Sequence, residues 1–223
     1  MICALIAAYN EGQHVGAVVT DTAPHVAQVF VVDDGSTDTT AARAREAGAV
    51  VLGHERNRGK GCAIRTGLLH VLQQPCTHVL LLDADGQHDP SEIPKLVARA
   101  ERGAGEFVIG ERELVKEAMP AARFYSNRIG SRILSWFIGA DIADSQSGFR
   151  LIRADLLRTV RLTGSRYEIE TEMLIKLVRA GARLERVPVR RLRYDGARSK
   201  MRPFRDTFRT CMLALRYRYL PEH

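Results

Sequence analysis

The chain has 223 residues, of which 45% are hydrophobic and 26% charged, and a formal net charge of +7. That balance fits one large soluble domain with a substantial core. No run of eighteen apolar residues occurs, the longest candidate, Ile129 to Ala140, being interrupted by Ser131, Arg132 and Ser135, which excludes a chain that spans a membrane by itself.

In chain order, apolar Met1 to Ala8 has no basic leader and runs straight into Tyr9-Asn10-Glu11, so it reads as a first strand rather than a signal peptide, and a cytoplasmic location follows. Further strands are predicted at Val29 to Val32, Ala49 to Leu52, His78 to Leu82 and Phe107 to Ile109. They alternate with helical stretches near residues 13–25, 38–48, 60–73 and 91–103. Such alternation builds βαβ units and a mostly parallel sheet flanked by helices, an α/β fold in a single domain. Ser36 or Thr37 suits the N-cap of the second helix, and Asp89 with Pro90 suits the cap and first position of the fourth. Glu111 to Arg123 is charged and irregular and reads as a loop. An amphipathic stretch, Phe124 to Ile138, a helix at Ile169 to Ala180 and a strand at Arg183 to Arg193 follow. The chain closes with a basic amphipathic helix over 203–223, the preceding 1–202 forming the main domain. Cys3, Cys62, Cys76 and Cys211 have no Cys-x-x-Cys spacing, read as reduced thiols and receive no chemical role.

The most informative segment is Val79-Leu80-Leu81-Leu82-Asp83-Ala84-Asp85-Gly86-Gln87, a buried strand that ends in two carboxylates separated by one residue. In an open α/β sheet the carboxyl ends of the strands are where ligands bind. Asp83 and Asp85 share one side of the extended chain, Gln87 adds a third oxygen, and hard oxygen ligands suit Mg²⁺ or Mn²⁺ carrying a diphosphate. Ala8-Tyr9-Asn10-Glu11 and Asp33-Asp34-Gly35-Ser36 end the first two strands at the same edge, where a carboxylate can accept from a nucleobase or ribose. Asp-Asp-Gly-Ser is equally a good turn sequence. Asn57-Arg58-Gly59-Lys60-Gly61 precedes a helix and favours an anion there, although it lacks the Walker spacing. Arg150, Arg193 and Arg198 could neutralise phosphates, and Glu168, Glu170 and Glu172 stand at a helix start, where they could equally partner its dipole.

The order of these segments, Ala-Tyr-Asn-Glu, Val-Asp-Asp-Gly-Ser, Asn-x-Gly-Lys-Gly, Asp-Ala-Asp-Gly-Gln, Ser-Gly-Phe-Arg and Glu-Thr-Glu, resembles the family 2 glycosyltransferases, most closely the dolichol-phosphate and polyprenol-phosphate mannosyl- and glucosyltransferases. The resemblance runs from Ile2 to about Arg202. It implies a GT-A fold, a Rossmann-like nucleotide-sugar domain. It also implies that Ala8, Tyr9, Glu11 and Asp34 hold the nucleoside, with Lys60, Asp83, Ala84 and Asp85 completing the nucleotide-sugar site. Asp83, Asp85 and Gln87 would hold Mg²⁺ or Mn²⁺. Arg123 or Arg128, Ser147, Arg150, Arg193 and Lys200 would face the phosphates of donor or acceptor, and the catalytic group would comprise Asp85, Arg150 and Asp144. The usual Arg-x-x-Gly-x-Ser-Lys motif is one residue longer here, between Gly196 and Ser199, and no transmembrane segment follows the catalytic domain.

The resemblance implies a metal-dependent, inverting hexosyltransferase using a GDP- or UDP-sugar, with a polyprenyl or dolichyl phosphate at the membrane surface as acceptor. A phosphate acceptor is already ionised and needs no general base. A hydroxyl acceptor would need one, and Asp144, Glu170 and Glu172 are the candidates. The loop from Glu111 to Arg123 is expected to close over the donor. The terminal helix, with Phe204, Phe208, Met212, Leu215 and Tyr219 opposite several arginines, suits either a peripheral site at the inner face of a membrane or docking on the core. Alternatives are a soluble hydroxyl acceptor and a non-catalytic module whose basic tail binds anionic lipid or nucleic acid. The metal segment favours the transferase, without nucleic acid, either as a homodimer or beside a separate membrane subunit. A nucleotidyltransferase is disfavoured because no glycine-rich basic loop follows the first strand.

Overall fold

The computed structural model describes residues 1–102, 105–112, 121–139, 142, 144–190, 192 and 217, apart from the side chains of 121–127 and 137. The first half runs β1 (Ile2–Ala8), α1 (Val15–Thr22), β2 (Gln28–Asp33), α2 (Thr40–Glu46), β3 (Val50–Gly53), α3 (Lys60–Val71), β4 (His78–Asp83) and α4 (Ile93–Arg102). The second half runs β5 (Phe107–Arg112), α5 (Ala121–Ile138), β6 (Arg150–Arg153), α6 (Ala154–Thr159), α7 (Glu168–Arg179) and β7 (Leu184–Val189). The strands form one seven-stranded sheet in the order β3-β2-β1-β4-β6-β5-β7.

β1 through β4 pair in parallel, as do β5 and β7, whereas β6 lies antiparallel between β4 and β5. The predicted parallel α/β sheet is therefore present, with one antiparallel strand that the sequence reading did not anticipate. Alternate residues of β1 enter two cores: Cys3 and Leu5 face the layer containing Ala63, Leu68 and Met173, while Ala4 and Ile6 face Val15, Val19 and Leu96. Burial on both faces is why these strands are continuous apolar runs instead of alternating ones. Helix α3 lies hard against the sheet, because a Cβ at Gly67 would stand 2.2 Å from Leu5 Cδ1.

The cap of α2 differs from the expectation. Its N-cap is Thr39, the Asp38 carboxylate accepts from Thr40 N, and the Ser36 hydroxyl instead accepts from Asn10 N. Asp89 does cap as expected, accepting from Ser91 N ahead of the short 3₁₀ turn Pro90–Glu92 that leads into α4. Of the expected loop Glu111 to Arg123, Glu111 and Arg112 end β5, Ala121 to Arg123 open α5, and 113–120 lie outside the described residues. Of the terminal helix 203–223, only Tyr217 is described. Its ring is 4% exposed within the main core, and its hydroxyl donates to Glu172 Oε1 at 3.0 Å. At that point the terminal segment docks on the core. Cys3, Cys62 and Cys76 are free thiols, and burial, with the nearby Cys76, pushes the Cys3 thiol up to about 11.

Glu172 is fully buried in α7 and tethers the chain around it, accepting from Thr163 N and Oγ1, Gly164 N and Lys176 Nζ. Burial alone would raise its pKa. The Gly164 amide, Lys176 and Thr163 outweigh burial and hold it below the ordinary carboxylate value. Its contribution to stability is therefore complete above the unfolded value of about 4.3 and is lost as the pH falls through the lower folded value. Glu172→Gln is expected to lower the unfolding free energy by about 1–2 kcal/mol at neutral pH. In urea melts the gap from wild type should narrow in acid; a gap that widens in acid would contradict the assignment.

Candidate active site

The carboxyl ends of β1, β2 and β4 open into one cavity of about 700 Å³, lined by Ala8, Tyr9, Glu11, Asp34, Lys60, Asp83, Ala84, Asp85 and Gln87, among others. The residues expected on the nucleotide-sugar and metal side thus share one space. Loops after β1 and β2 are laced together: Asn10 Oδ1 accepts from Thr37 N at 2.9 Å, Glu11 N donates to Thr40 Oγ1, and Gly12 N donates to Asp38 Oδ2. Asn10 adopts a left-handed φ of 51°, which the short polar side chain tolerates while it makes this local bond.

Asp34 organises the next loop. Its Oδ1 accepts from Arg58 N at 2.9 Å and pairs with His54 Nδ1 at 2.7 Å, while Oδ2 accepts from Gly59 N at 2.7 Å. His54 is fixed from behind by Thr66 Oγ1 at 2.9 Å. The crossing is close: at Gly35, with φ 72°, a Cβ would stand 2.4 Å from the Arg56 carbonyl carbon. This loop delivers Lys60 as the first residue of α3.

Lys60 Nζ donates to Asp83 Oδ1 at 2.5 Å and to Glu170 Oε1 at 2.6 Å, joining α3, β4 and α7 at the cavity floor. Burial opposes the ammonium charge, but Asp83 and Glu170 outweigh it and raise the Lys60 pKa far above the ordinary value. Burial likewise opposes the Asp83 carboxylate, and Lys60 and His88 hold it far below the usual range. His88 Nε2 lies 3.4 Å from the second Asp83 oxygen, its ring packing on Phe149. The loop before β6 approaches from the other side so closely that a Cβ at Gly148 would stand 2.8 Å from Asp83 Oδ2.

The acceptor-side expectations fare differently. Arg150 is fully buried, and its Nε, Nη1 and Nη2 donate to the carbonyls of Ser147, Glu170 and Ser145. It braces the loop before β6 against α7 and is absent from the cavity lining, so it does not face phosphate. Ser147 is also buried and donates to the Gly110 carbonyl. Asp144 is fully buried, with both oxygens on Arg112, at 2.6 Å to Nε and 3.1 Å to Nη2. Glu172 is fixed as described above. Arg128 is exposed on α5, away from the cavity lining. Arg193, Arg198 and Lys200, and the side chain of Arg123, lie outside the described residues.

Arg112, Gln146, Arg166, Tyr167 and His88 line the cavity without having been singled out as site residues. For Arg112 a signal existed, since it ends β5 at the ligand-binding edge. Its charge is stabilised by Asp144, which together with Asp83 and Glu170 outweighs the cost of burial.

Among the described residues, no group of three or more His, Cys, Asp or Glu side chains gathers as a metal cluster. The donor set nevertheless fits a cation brought in by a diphosphate. Asp85 and Gln87 both line the cavity, and Asp85 Oδ1 accepts from the Gln87 amide at 3.0 Å. Mg²⁺ and Mn²⁺ are held by one or two carboxylates plus phosphate oxygens and water, not by a closed protein cage.

Glycosyl transferase family 2 matches residues 3–161 of the chain. The chain is 33% identical over 211 residues to the glycosyltransferase AglJ of Haloferax volcanii, an alignment covering 92% of this chain and 68% of that one. It is 29% identical over 243 residues to a UDP-N-acetylglucosamine–dolichyl-phosphate N-acetylglucosaminyltransferase of Methanococcus voltae, covering 96% of both chains. An undecaprenyl-phosphate mannosyltransferase of Micrococcus luteus is 30% identical over 214 residues, covering 90% of this chain and 87% of that one. In fold, it is similar to glucosyl-3-phosphoglycerate synthase of Mycobacterium tuberculosis crystallised with Mn²⁺, UDP and phosphoglyceric acid, with a TM-score of 0.75 at 21% identity, covering all of this chain and 80% of that one. The chain belongs to the family 2 glycosyltransferases and is a sugar-transferring enzyme of GT-A fold.

Proposed function

We propose that the enzyme transfers a hexose, with inversion, from a UDP-sugar to a polyprenyl-type lipid phosphate, with Mg²⁺ or Mn²⁺ on the donor diphosphate. One observation carries the choice of acceptor: the three carboxylates named above as candidate general bases are all engaged. Asp144 is clamped by Arg112, Glu172 by its buried donors, and Glu170 by Lys60. A hydroxyl acceptor needs a base to take its proton in the transition state, whereas a phosphate oxygen is ionised near neutral pH and attacks without one. The names of the Methanococcus and Micrococcus relatives, which act on dolichyl and undecaprenyl phosphate, support the same reading.

The attacking phosphate oxygen forms a bond to the anomeric carbon as the bond to the nucleoside diphosphate breaks, and UDP carries the electron pair away. Asp85 and Gln87 would hold the cation, and Asp83 stands beside them, fixed by Lys60 and His88. When bound, the cation offsets the charge that develops on the leaving diphosphate. Ala8, Tyr9, Glu11 and Asp34 are assigned to the nucleoside. The carboxylate of Asp34 only accepts, and its two oxygens already take three donors, from His54, Arg58 and Gly59. It has room for one further N–H. That matches the single N3–H of uracil better than the adjacent donors of guanine, and UDP in the Mycobacterium structure agrees.

Calorimetric titration with UDP and GDP, each with and without Mn²⁺, tests the donor. Metal-dependent UDP binding that disappears in Asp85→Ala is expected. Preference for GDP would overturn the uracil reading, and metal-independent binding would overturn the cation assignment. Release of UDP from a UDP-sugar on addition of undecaprenyl phosphate tests the acceptor; turnover with a hydroxyl acceptor alone would refute a lipid phosphate.

A further inference from the structure

Asp34 is the cavity carboxylate assigned above to the nucleobase, and a buried histidine that is absent from the cavity lining stands beside it. His54 follows β3 directly. Its amide donates to the Asp33 carbonyl at 2.9 Å, which extends the pairing of β2 with β3 by one residue and carries His54 alongside the end of β2. The His54 and Asp34 side chains are only 5% and 4% exposed. Nδ1 stands 2.7 Å from Asp34 Oδ1, and Nε2 stands 2.9 Å from Thr66 Oγ1 on α3. A carboxylate only accepts, so Nδ1 carries the proton, and in the neutral ring Nε2 is then the acceptor for the Thr66 hydroxyl. Thr66 thereby fixes the ring from its far side. Turning the ring away from Asp34 would leave buried nitrogens unpaired.

We infer that His54 is a positioning residue for selection of the donor base, acting through Asp34, an inference that rests on the assignment of Asp34 to the nucleobase and deepens it. A carboxylate offers about four acceptor positions, two on each oxygen. Arg58 N and His54 Nδ1 take both on Oδ1, and Gly59 N takes one on Oδ2, so a single position remains, on Oδ2. The amides of Arg58 and Gly59 already tie their loop to the carboxylate, one to each oxygen. What His54 adds is the donor that closes Oδ1. With Oδ1 closed, a base that brings one N–H is matched, whereas a base with two adjacent donors leaves the second unpaired, and unpaired polar groups separate substrates most strongly. Residue 54 thus sets how many donors the base can bring, without touching the base. An apolar side chain would fill the same space, but a spacer has no use for a hydrogen-bond partner at each ring nitrogen.

The experiment compares calorimetric binding of UDP, CDP and GDP with Mn²⁺ to the full-length protein, with pyrophosphate and Mn²⁺ as a probe that carries no base. CDP has the shape of UDP, but its N3 accepts instead of donating. Wild type is expected to prefer UDP to CDP by about tenfold or more. His54→Asn places an amide N–H where Nδ1 stood and should keep that preference. His54→Gln places its amide toward Thr66 and should lower the preference by about fivefold, with GDP gaining on UDP and pyrophosphate binding retained by both variants. A preference unchanged in His54→Gln, or lowered equally in both variants, overturns the positioning role and leaves the donor reading standing. Equal binding of UDP and CDP by wild type overturns the uracil reading, and the role of His54 with it. The ¹⁵N spectrum of the wild-type His54 ring decides the matter without any variant: a proton on Nδ1 is expected, and a proton on Nε2 alone overturns the role.

Discussion

Replacing Lys60 with Met is expected to lower the unfolding free energy by about 3–5 kcal/mol, because it leaves Asp83 and Glu170 facing each other in a buried site with no cation between them. Activity should fall further, by about 10²–10³-fold, since Asp83 loses the group that orients it at the cavity floor. The pH dependence has a definite form. The Lys60 pKa is raised, so its contribution persists until the pH rises above the ordinary lysine range; that of Asp83 is lowered, so its contribution persists until the pH falls below the ordinary aspartate range. The stability gap should therefore be flat between about pH 5 and 9 and shrink below about pH 4. Chemical denaturation of wild type, Lys60→Met, Glu170→Gln and the double variant gives the coupling directly. If the two single losses simply add, Lys60 and Glu170 do not act as a pair.

Gly61→Ala is expected to destabilise by about 2–3 kcal/mol, even though alanine is the better helix former. A Cβ there would stand 2.5 Å from the Gly164 carbonyl oxygen and 2.7 Å from the Ser165 carbonyl carbon. That segment cannot retreat easily. Cys62 N donates to Ser165 O at 3.2 Å on one side, and Glu172 holds Thr163 and Gly164 on the other. Relief must come from the start of α3, which carries Lys60, so UDP binding should weaken with stability. Gly53→Ala is the matched control, since nothing lies within 4 Å of its Cβ position. Thermal melts of the two variants should separate clearly, and equal melting temperatures would show that the contact at Gly61 yields without cost.

The parts of this protein legible from sequence are those fixed by local pattern. Apolar runs ending in Asp33, Asp83 and the Tyr9–Glu11 turn mark parallel strands and their ligand-binding edge, because burial on both faces leaves no room for polar alternation. β6 escaped notice because it begins with Arg150, a charged residue that reads as loop until its three carbonyl partners are known. The roles of Asp144 and Ser147 were hidden for the same reason: their neighbours Arg112 and Gly110 belong to another strand. Lys60 was legible as a pocket residue. Its partner Glu170 lies 110 residues further along, and no local spacing encodes that meeting.

The buried charges beneath the cavity also have a collective property. Lys60, Arg112 and Arg150 interleave with Asp83, Asp144 and Glu170, three positive and three negative groups that balance at the cavity floor. A floor with no net monopole exerts little long-range pull on a dianionic diphosphate, and mobile salt has little field there to screen. Affinity for the donor should therefore respond weakly to ionic strength, while any attachment through the basic exterior responds steeply.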